Sequence, residues 1–140
     1  MKRIGVIIGT RPEAIKMAPV VLALREAKGL TPVTILTAQH REMSDEVLAL
    51  FGIEPDFDLD IMTHAQSLFQ TTGRLITKLE DVYAKAKPDL VLVQGDTTTT
   101  FVGALAAHYL QIPIGHVEAG LRTADKHNPF PEEMNRRLTS

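Results

Sequence analysis

Two glycine turns and a scatter of acids and bases stand out as able to do chemistry. In Gly9-Thr10-Arg11-Pro12-Glu13-Ala14-Ile15-Lys16 a glycine precedes a helical pattern, with Arg11 and Lys16 flanking it. Backbone N–H groups at a helix start, with two cations, suit a phosphate. The spacing is neither that of a Walker loop nor that of the dinucleotide fingerprint. An ordinary strand-to-helix turn with solvated Arg and Lys therefore stays open. Asp96 follows a glycine and precedes Thr97-Thr98-Thr99-Thr100. It reads as an Asx or N-cap residue, or as one wall of a sugar or phosphate site lined by hydroxyls.

His116-Val117-Glu118 resembles half of a zinc deaminase motif, but the chain has no cysteine to complete it. On a strand, His116 and Glu118 share a face, which allows a joint role at the strand end. A hydrogen-bonded core histidine is the plainer reading of His116. His64, His108 and His127 show no metal-ligand spacing. Glu132 and Glu133 follow Asn128-Pro129-Phe130-Pro131. Acids at a helix start need only dipole chemistry, yet the two prolines stiffen a loop that can present Glu132 towards Asp96 and Glu118.

The elements that must position these residues alternate along the chain. Apolar runs of strand length, rich in Ile, Val and Leu, cover residues 4–8, 33–37, 90–93 and 114–117, with a weaker one at 57–61. Runs without polar alternation are those of parallel strands buried on both faces. Helical patterns cover 12–28, 42–51, 68–86 and 99–110, and a last one begins at Pro131. Pro19 should kink the first or delay its start. Gly52 and Pro88 close the second and third. The sum is an α/β fold, a Rossmann-like three-layer domain with a parallel sheet. In such sheets ligands gather at the carboxyl ends of the strands. There the turns at Gly9, Gln39-His40-Arg41, Gly95 and Glu118 should converge on one rim.

Composition narrows the field. The 140 residues are 44% hydrophobic and 23% charged, which fits one ordinary domain. Fifteen Lys and Arg against seventeen Asp and Glu give a net charge of −2, without the basic excess of a nucleic-acid binder. The absence of cysteine excludes disulfides, thiolate nucleophiles and cysteine-bound metals. No apolar run is long enough to span a bilayer. The start, Met1-Lys2-Arg3 followed by a brief apolar run, reads as a strand of a cytoplasmic protein. The final pattern stops at Ser140 about two turns into a helix, so the chain is expected to be the first half of something longer.

Together, Gly-Thr-Arg-Pro-Glu-Ala-Ile-Lys-Met-Ala-Pro, Thr-Ala-Gln-His-Arg, Gly-Asp-Thr-Thr-Thr-Thr, Gly-His-Val-Glu-Ala-Gly-Leu-Arg-Thr and Pro-Phe-Pro-Glu-Glu-Met-Asn-Arg resemble the bacterial non-hydrolysing UDP-N-acetylglucosamine 2-epimerases. The resemblance spans the whole sequence, in order. It implies the N-terminal half of a glycosyltransferase-B-type fold, two Rossmann-like domains facing across a cleft. It implies interconversion of UDP-N-acetylglucosamine and UDP-N-acetylmannosamine for cell-surface polysaccharide synthesis, with no cofactor and no required metal, in a homodimer. The family's catalytic acids fall on Asp96, Glu118 and Glu132. Its substrate contacts fall on Gly9, Thr10, Arg11 and Lys16, with Asp96 and Glu118. A second, activating substrate molecule would involve Gln39 and Glu132. Most uridine and diphosphate contacts, and a histidine near the sugar, belong to the C-terminal domain. The family often carries Trp or Tyr where Phe130 stands, and Ser where Asn128 stands.

The implied route breaks the C1–oxygen bond before removing the C2 proton, and so needs anion stabilisation, an acid and base on opposite faces, and exclusion of water. Three clustered carboxylates should raise the pKa of at least one. Little or no turnover is expected of these 140 residues alone. A hydrolysing epimerase, a non-catalytic nucleotide-sugar module and an inert assembly domain are the rival readings.

Overall fold

The apolar run after Met1 forms strand β1 (Lys2–Ile8), and everything else is arranged around it. The computed structural model describes residues 1–37, 41–61, 67–118 and 131–139. The remaining strands are β2 (Leu30–Leu36), β3 (Phe57–Asp58), β4 (Leu90–Gln94) and β5 (Ile114–Val117). The helices are α1 (Arg11–Glu26), α2 (Arg41–Leu50), α3 (Leu68–Ala86), α4 (Thr98–Tyr109) and α5 (Glu132–Thr139). All pairings are parallel and the strand order is β3-β2-β1-β4-β5.

Period-two geometry splits β1 between two cores. Ile4, Val6 and Ile8 pack with Ala14, Met17, Ala18 and Val21 of α1 and with Val47 and Leu48 of α2. Ile7 packs on the other face, with Leu75, Leu79, Val82 and Tyr83 of α3 and Val102, Ala106 and Ala107 of α4. Helices therefore cover both faces, and each fully buried Leu or Ile contributes about 1.5–3 kcal/mol. The Tyr83 hydroxyl donates to the Gly103 carbonyl at 2.9 Å and ties α3 to α4. Ser67 and Gln70 form a reciprocal capping box at the start of α3.

Three local expectations need correction. Helix α1 starts at Arg11, upstream of Pro19, and runs through it to Glu26. Pro19 lies on the exposed face, where water can take the carbonyl it leaves unbonded. Strand β2 starts earlier than the apolar run, at Leu30, and tolerates Pro32 because β3 joins it only at Ile35 and Leu36. Strand β3 is two residues rather than five: Asp60 adopts φ +47° and interrupts the regular ladder, although the Ile61 N–H still reaches the Thr37 carbonyl at 3.2 Å. Leu59 and Ile61 stay buried regardless. No helix among the described residues is long and apolar enough to cross a membrane.

Gly9 sits where β1 meets α1. A Cβ there would lie 2.5 Å from the Thr99 hydroxyl oxygen and 2.9 Å from that of Thr37. Gly9→Ala should therefore cost about 1–3 kcal/mol and lower the melting temperature by several degrees. Thermal unfolding of the two forms checks this, and an unchanged midpoint would mean that the threonines move aside freely.

Candidate active site

Chain reversal at β1 creates the site. The connection from β1 leads to one side of the sheet and the connection from β3 crosses back to β4, so α1 and α4 leave neighbouring strands on opposite faces. Their N-termini open at the same edge, the switch point at which α/β sheets bind ligands. Thr10 caps α1 and Thr97 caps α4, each accepting a backbone N–H in its first turn. The cap of α4 is thus Thr97, not Asp96. Gly95 has φ +80°, a conformation that L side chains rarely adopt, and it swings the chain from β4 into that cap.

Asp96 is freed for another partner. Its Oδ2 accepts from Nη2 of Arg136 at 2.7 Å, and its backbone carbonyl accepts from the Asn135 side chain at 3.1 Å. Arg136, only 4% exposed, also donates to the backbone carbonyl of Glu118. One guanidinium from α5 therefore ties the loop after β4 to the end of β5. The Glu118 carboxylate takes an ion pair from Lys16 and a hydrogen bond from Gln94 Nε2 at 2.9 Å. The Lys16 hydrogen bond holds that carboxyl below the usual range. Lys16 and Glu118 are both partly exposed, so the pair orients more than it stabilises.

Glu118 does not point where strand alternation would send it. Strand β5 ends at Val117, and Glu118 adopts φ +61°, a left-handed conformation that costs an L residue about 1–2 kcal/mol. The contacts from Lys16, Gln94 and Arg136 hold it there. His116 is half-buried rather than in the core, and its Nε2 lies 2.6 Å from the Gly95 carbonyl. The ring supports the β4 turn.

Glu132 begins α5, one turn before Arg136 on the same helix face. The helix that carries it is thus fastened to Asp96 and Glu118. Arg11 is exposed at the first position of α1. Gln39 and His40, and residues 119–130 with Asn128 and Phe130 among them, lie outside the described residues. The threonines are spoken for structurally: Thr100 donates to the Gln94 carbonyl at 2.6 Å, and Thr99 lies 3.4 Å from Thr37. They brace the loop more than they line a cavity. Among the described residues, no group of three or more His, Asp and Glu could hold a metal.

The carboxyl with the raised pKa is one that the spacing argument passed over. Glu13 is 2% exposed, and burial pushes its carboxyl up to about 7. Its Oε1 accepts the Gly9 N–H at 3.1 Å and its Oε2 the Thr10 hydroxyl at 2.8 Å, and the Thr97 hydroxyl oxygen lies 3.0 Å from Oε2. The sequence signal was available: a Glu three residues after a threonine cap is a capping-box position. Here the side chain turns inward instead, because the facing α4 cap supplies a hydrogen-bond partner that water would otherwise provide.

Glu13 gives stability a defined pH dependence. Its folded pKa lies above the ordinary 4.5, so its proton stabilises the fold fully below that value. The stabilisation falls as pH rises towards about 7 and levels off above it. The unaltered chain should lose about 3 kcal/mol relative to Glu13→Gln across this window. Paired denaturation curves from pH 4.5 to pH 8 measure it, and a constant difference would contradict it. Lys16→Met should let the Glu118 carboxyl titrate closer to the usual range, as read by carboxyl carbon NMR. No change would mean that Lys16 is not what lowers it.

The UDP-N-acetylglucosamine 2-epimerase family profile matches residues 22–140. A putative UDP-N-acetylglucosamine 2-epimerase of Thermotoga maritima is 58% identical over 99% of this chain, and the Bacillus subtilis UDP-N-acetylglucosamine 2-epimerase is 55% identical over the same share. In both, the chain spans only 37% of the relative's length. Among solved structures, the S. aureus MnaA–UDP complex superposes with a TM-score of 0.95 at 60% identity, covering 99% of this chain and 36% of that one. The Neisseria meningitidis UDP-GlcNAc 2-epimerase bound to UDP-GlcNAc gives 0.93 at 57%, covering 99% and 37%. A Streptomyces glycosyltransferase, 23% identical with a TM-score of 0.55, shares the fold. With its parallel Rossmann-like sheet and its acids at the switch point, the chain belongs to the UDP-N-acetylglucosamine 2-epimerase family.

Proposed function

We propose that the chain forms the N-terminal half of a non-hydrolysing epimerase that interconverts UDP-N-acetylglucosamine and UDP-N-acetylmannosamine. The observation that carries this reading is Arg136, which joins Asp96 to the end of β5, where Glu118 stands beside Lys16 at the α1 N-terminus. The facing domain supplies the rest of the cleft, in keeping with the chain's 37% share of its relatives' length.

The reaction follows from what such a site can do. The C2 proton of the sugar is not acidic, because no carbonyl adjoins it within the ring. The C1–oxygen bond therefore breaks first, and its electron pair leaves with the UDP diphosphate. Arg11, Lys16 and the α1 N-terminus, with Gly9 and Thr10, meet the growing negative charge. The cationic C1 acidifies the C2 hydrogen, and a carboxylate removes it to give a glycal. A second carboxyl returns a proton to the opposite face, and UDP adds back at C1. Asp96, Glu118 and Glu132 are the acids and bases, two held by ion pairs and the third on the helix that fastens them.

The protein acts in the cytoplasm as a homodimer, without a cofactor, in cell-surface polysaccharide synthesis. Phe69 (90% exposed) on α3 and Tyr109 (67% exposed) on α4 support a subunit contact, Tyr109 lining a groove of about 290 Å³ with Ile76, Thr77, Glu80, Ala106 and Leu110. Gln39 and Glu132 belong to a second, activating substrate site.

A proton NMR time course in heavy water tests the reaction. The intact protein containing this chain should exchange the C2 proton of UDP-N-acetylglucosamine for deuterium. Asp96→Asn, Glu118→Gln and Glu132→Gln should each slow exchange by at least about 100-fold while leaving the melting temperature within a few degrees. The 140 residues alone should show saturation transfer to the nucleotide sugar and no exchange. Near-normal exchange in a variant removes that acid from the mechanism, and free N-acetylmannosamine as product would favour a hydrolase.

A further inference from the structure

Glu13 is buried beneath the proposed site and carries none of the roles assigned above. A count of hydroxyl protons favours one protonation state. Thr100 donates its only hydroxyl proton to the Gln94 carbonyl at 2.6 Å. Thr97 and Thr100 hydroxyl oxygens lie 3.1 Å apart, so a hydrogen bond between them must use the proton of Thr97. Thr97 also contacts Glu13 Oε2 at 3.0 Å. If Glu13 is ionised, Thr97 donates to it and the two threonine oxygens face each other with no proton between them. If Glu13 is protonated, its O–H donates to Thr97, Thr97 donates to Thr100, and Thr100 donates to Gln94. Every contact then holds one proton, while Glu13 still accepts from Gly9 N–H and the Thr10 hydroxyl.

The placement gives this state a purpose. Thr10 and Thr97 are the caps of the two helices whose N-termini converge on the site. An ionised carboxylate between them would compete with an anionic ligand for the positive ends of both helices. A neutral carboxyl makes the same link without that competition. We propose that Glu13 is a positioning residue working as a neutral acid: it joins the α1 and α4 caps and holds both loops for a nucleotide diphosphate sugar. This rests on the function proposed above for the identity of the ligand. Its raised pKa agrees with the neutral state. The charged groups around this corner are Asp96 on the β4–α4 loop, Arg11 and Lys16 on α1, Glu118 after β5, and Arg136 on α5. Asp96 acts directly on Glu13, raising its pKa further. Lys16 pairs with Glu118 and Arg136 with Asp96.

The test uses the intact protein that contains this chain, with Glu13→Gln, Glu13→Asp and Glu13→Ala. UDP-N-acetylglucosamine is a suitable probe because its diphosphate diester does not titrate near neutrality. Glu13→Gln keeps a neutral group of the same length and should hold kcat and KM within about threefold at pH 7. Glu13→Asp is one methylene short, and Glu13→Ala removes the link. Both should raise KM at least tenfold, with a smaller effect on kcat. Affinity of the unaltered protein should fall between pH 6.5 and pH 8.5, as the carboxyl ionises, and stay flat in Glu13→Gln. Loss of activity in Glu13→Gln with activity kept in Glu13→Asp would show that the ionised form is needed and overturn the proposal, as would an unchanged KM in a folded Glu13→Ala. If the unaltered protein neither binds nor exchanges the probe, the functional reading fails by itself. The carboxyl carbon titration of Glu13 then decides its state: a midpoint near 7 supports the neutral link, and one in the ordinary carboxylate range overturns it.

Discussion

Strand β1 pairs with β2 on one side and β4 on the other, and the site depends on that double pairing. A parallel strand can be reached only by a crossover, and right-handed crossovers place helices on a face fixed by the direction of travel. The chain moves outward from β1 to β2 and β3, then returns across β1 to β4 and β5. The reversal puts α1 and α4 on opposite faces while bringing their first turns to one crevice. Two helix N-termini, with unsatisfied N–H groups and positive dipole ends, are thereby concentrated where an anion would sit. Polar side chains gather there because buried caps must be satisfied: Thr10, Thr97 and Glu13 do this together.

Around that frame the site is assembled by ties between elements distant in sequence. Arg136 reaches from α5 to the loop after β4 and to the end of β5, and Lys16 reaches from α1 to Glu118. Each tie ends on an acid of the proposed reaction or on its backbone. The arrangement is costly in places, since Glu118 sits at positive φ. Such strain persists only where surrounding contacts over-determine it, and it clusters at functional sites. An ordinary strand end would satisfy stability better, whereas this one aims a carboxylate.

Much of this was legible in the sequence, for identifiable reasons. The apolar runs gave the sheet, because strands buried on both faces lose their alternation, and the turns at Gly9 and Gly95 placed the rim. Asp96 and Glu118 emerged from their position at strand ends. Other features depend on partners that spacing cannot see. Asp96 read as a cap because its real partner, Arg136, lies forty residues away. Glu118 read as sharing a face with His116, because alternation assumes that the strand continues past Val117. Glu13 was passed over, and the carboxyl expected to rise was sought among Asp96, Glu118 and Glu132. Lys16 lowers Glu118 instead, while burial raises Glu13.

The central claim is that the converging starts of α1 and α4 form one wall of a nucleotide-sugar cleft. The most direct measurement is an amide ¹H–¹⁵N titration of this chain with UDP-N-acetylglucosamine. Saturable shifts are expected at Gly9, Thr10, Arg11 and at Gly95, Asp96 and Thr97, with Gly29, Leu30 and Asp89 at the opposite ends of the strands unmoved. Shifts confined to the opposite end, or none at the two helix starts at saturating ligand, would contradict it.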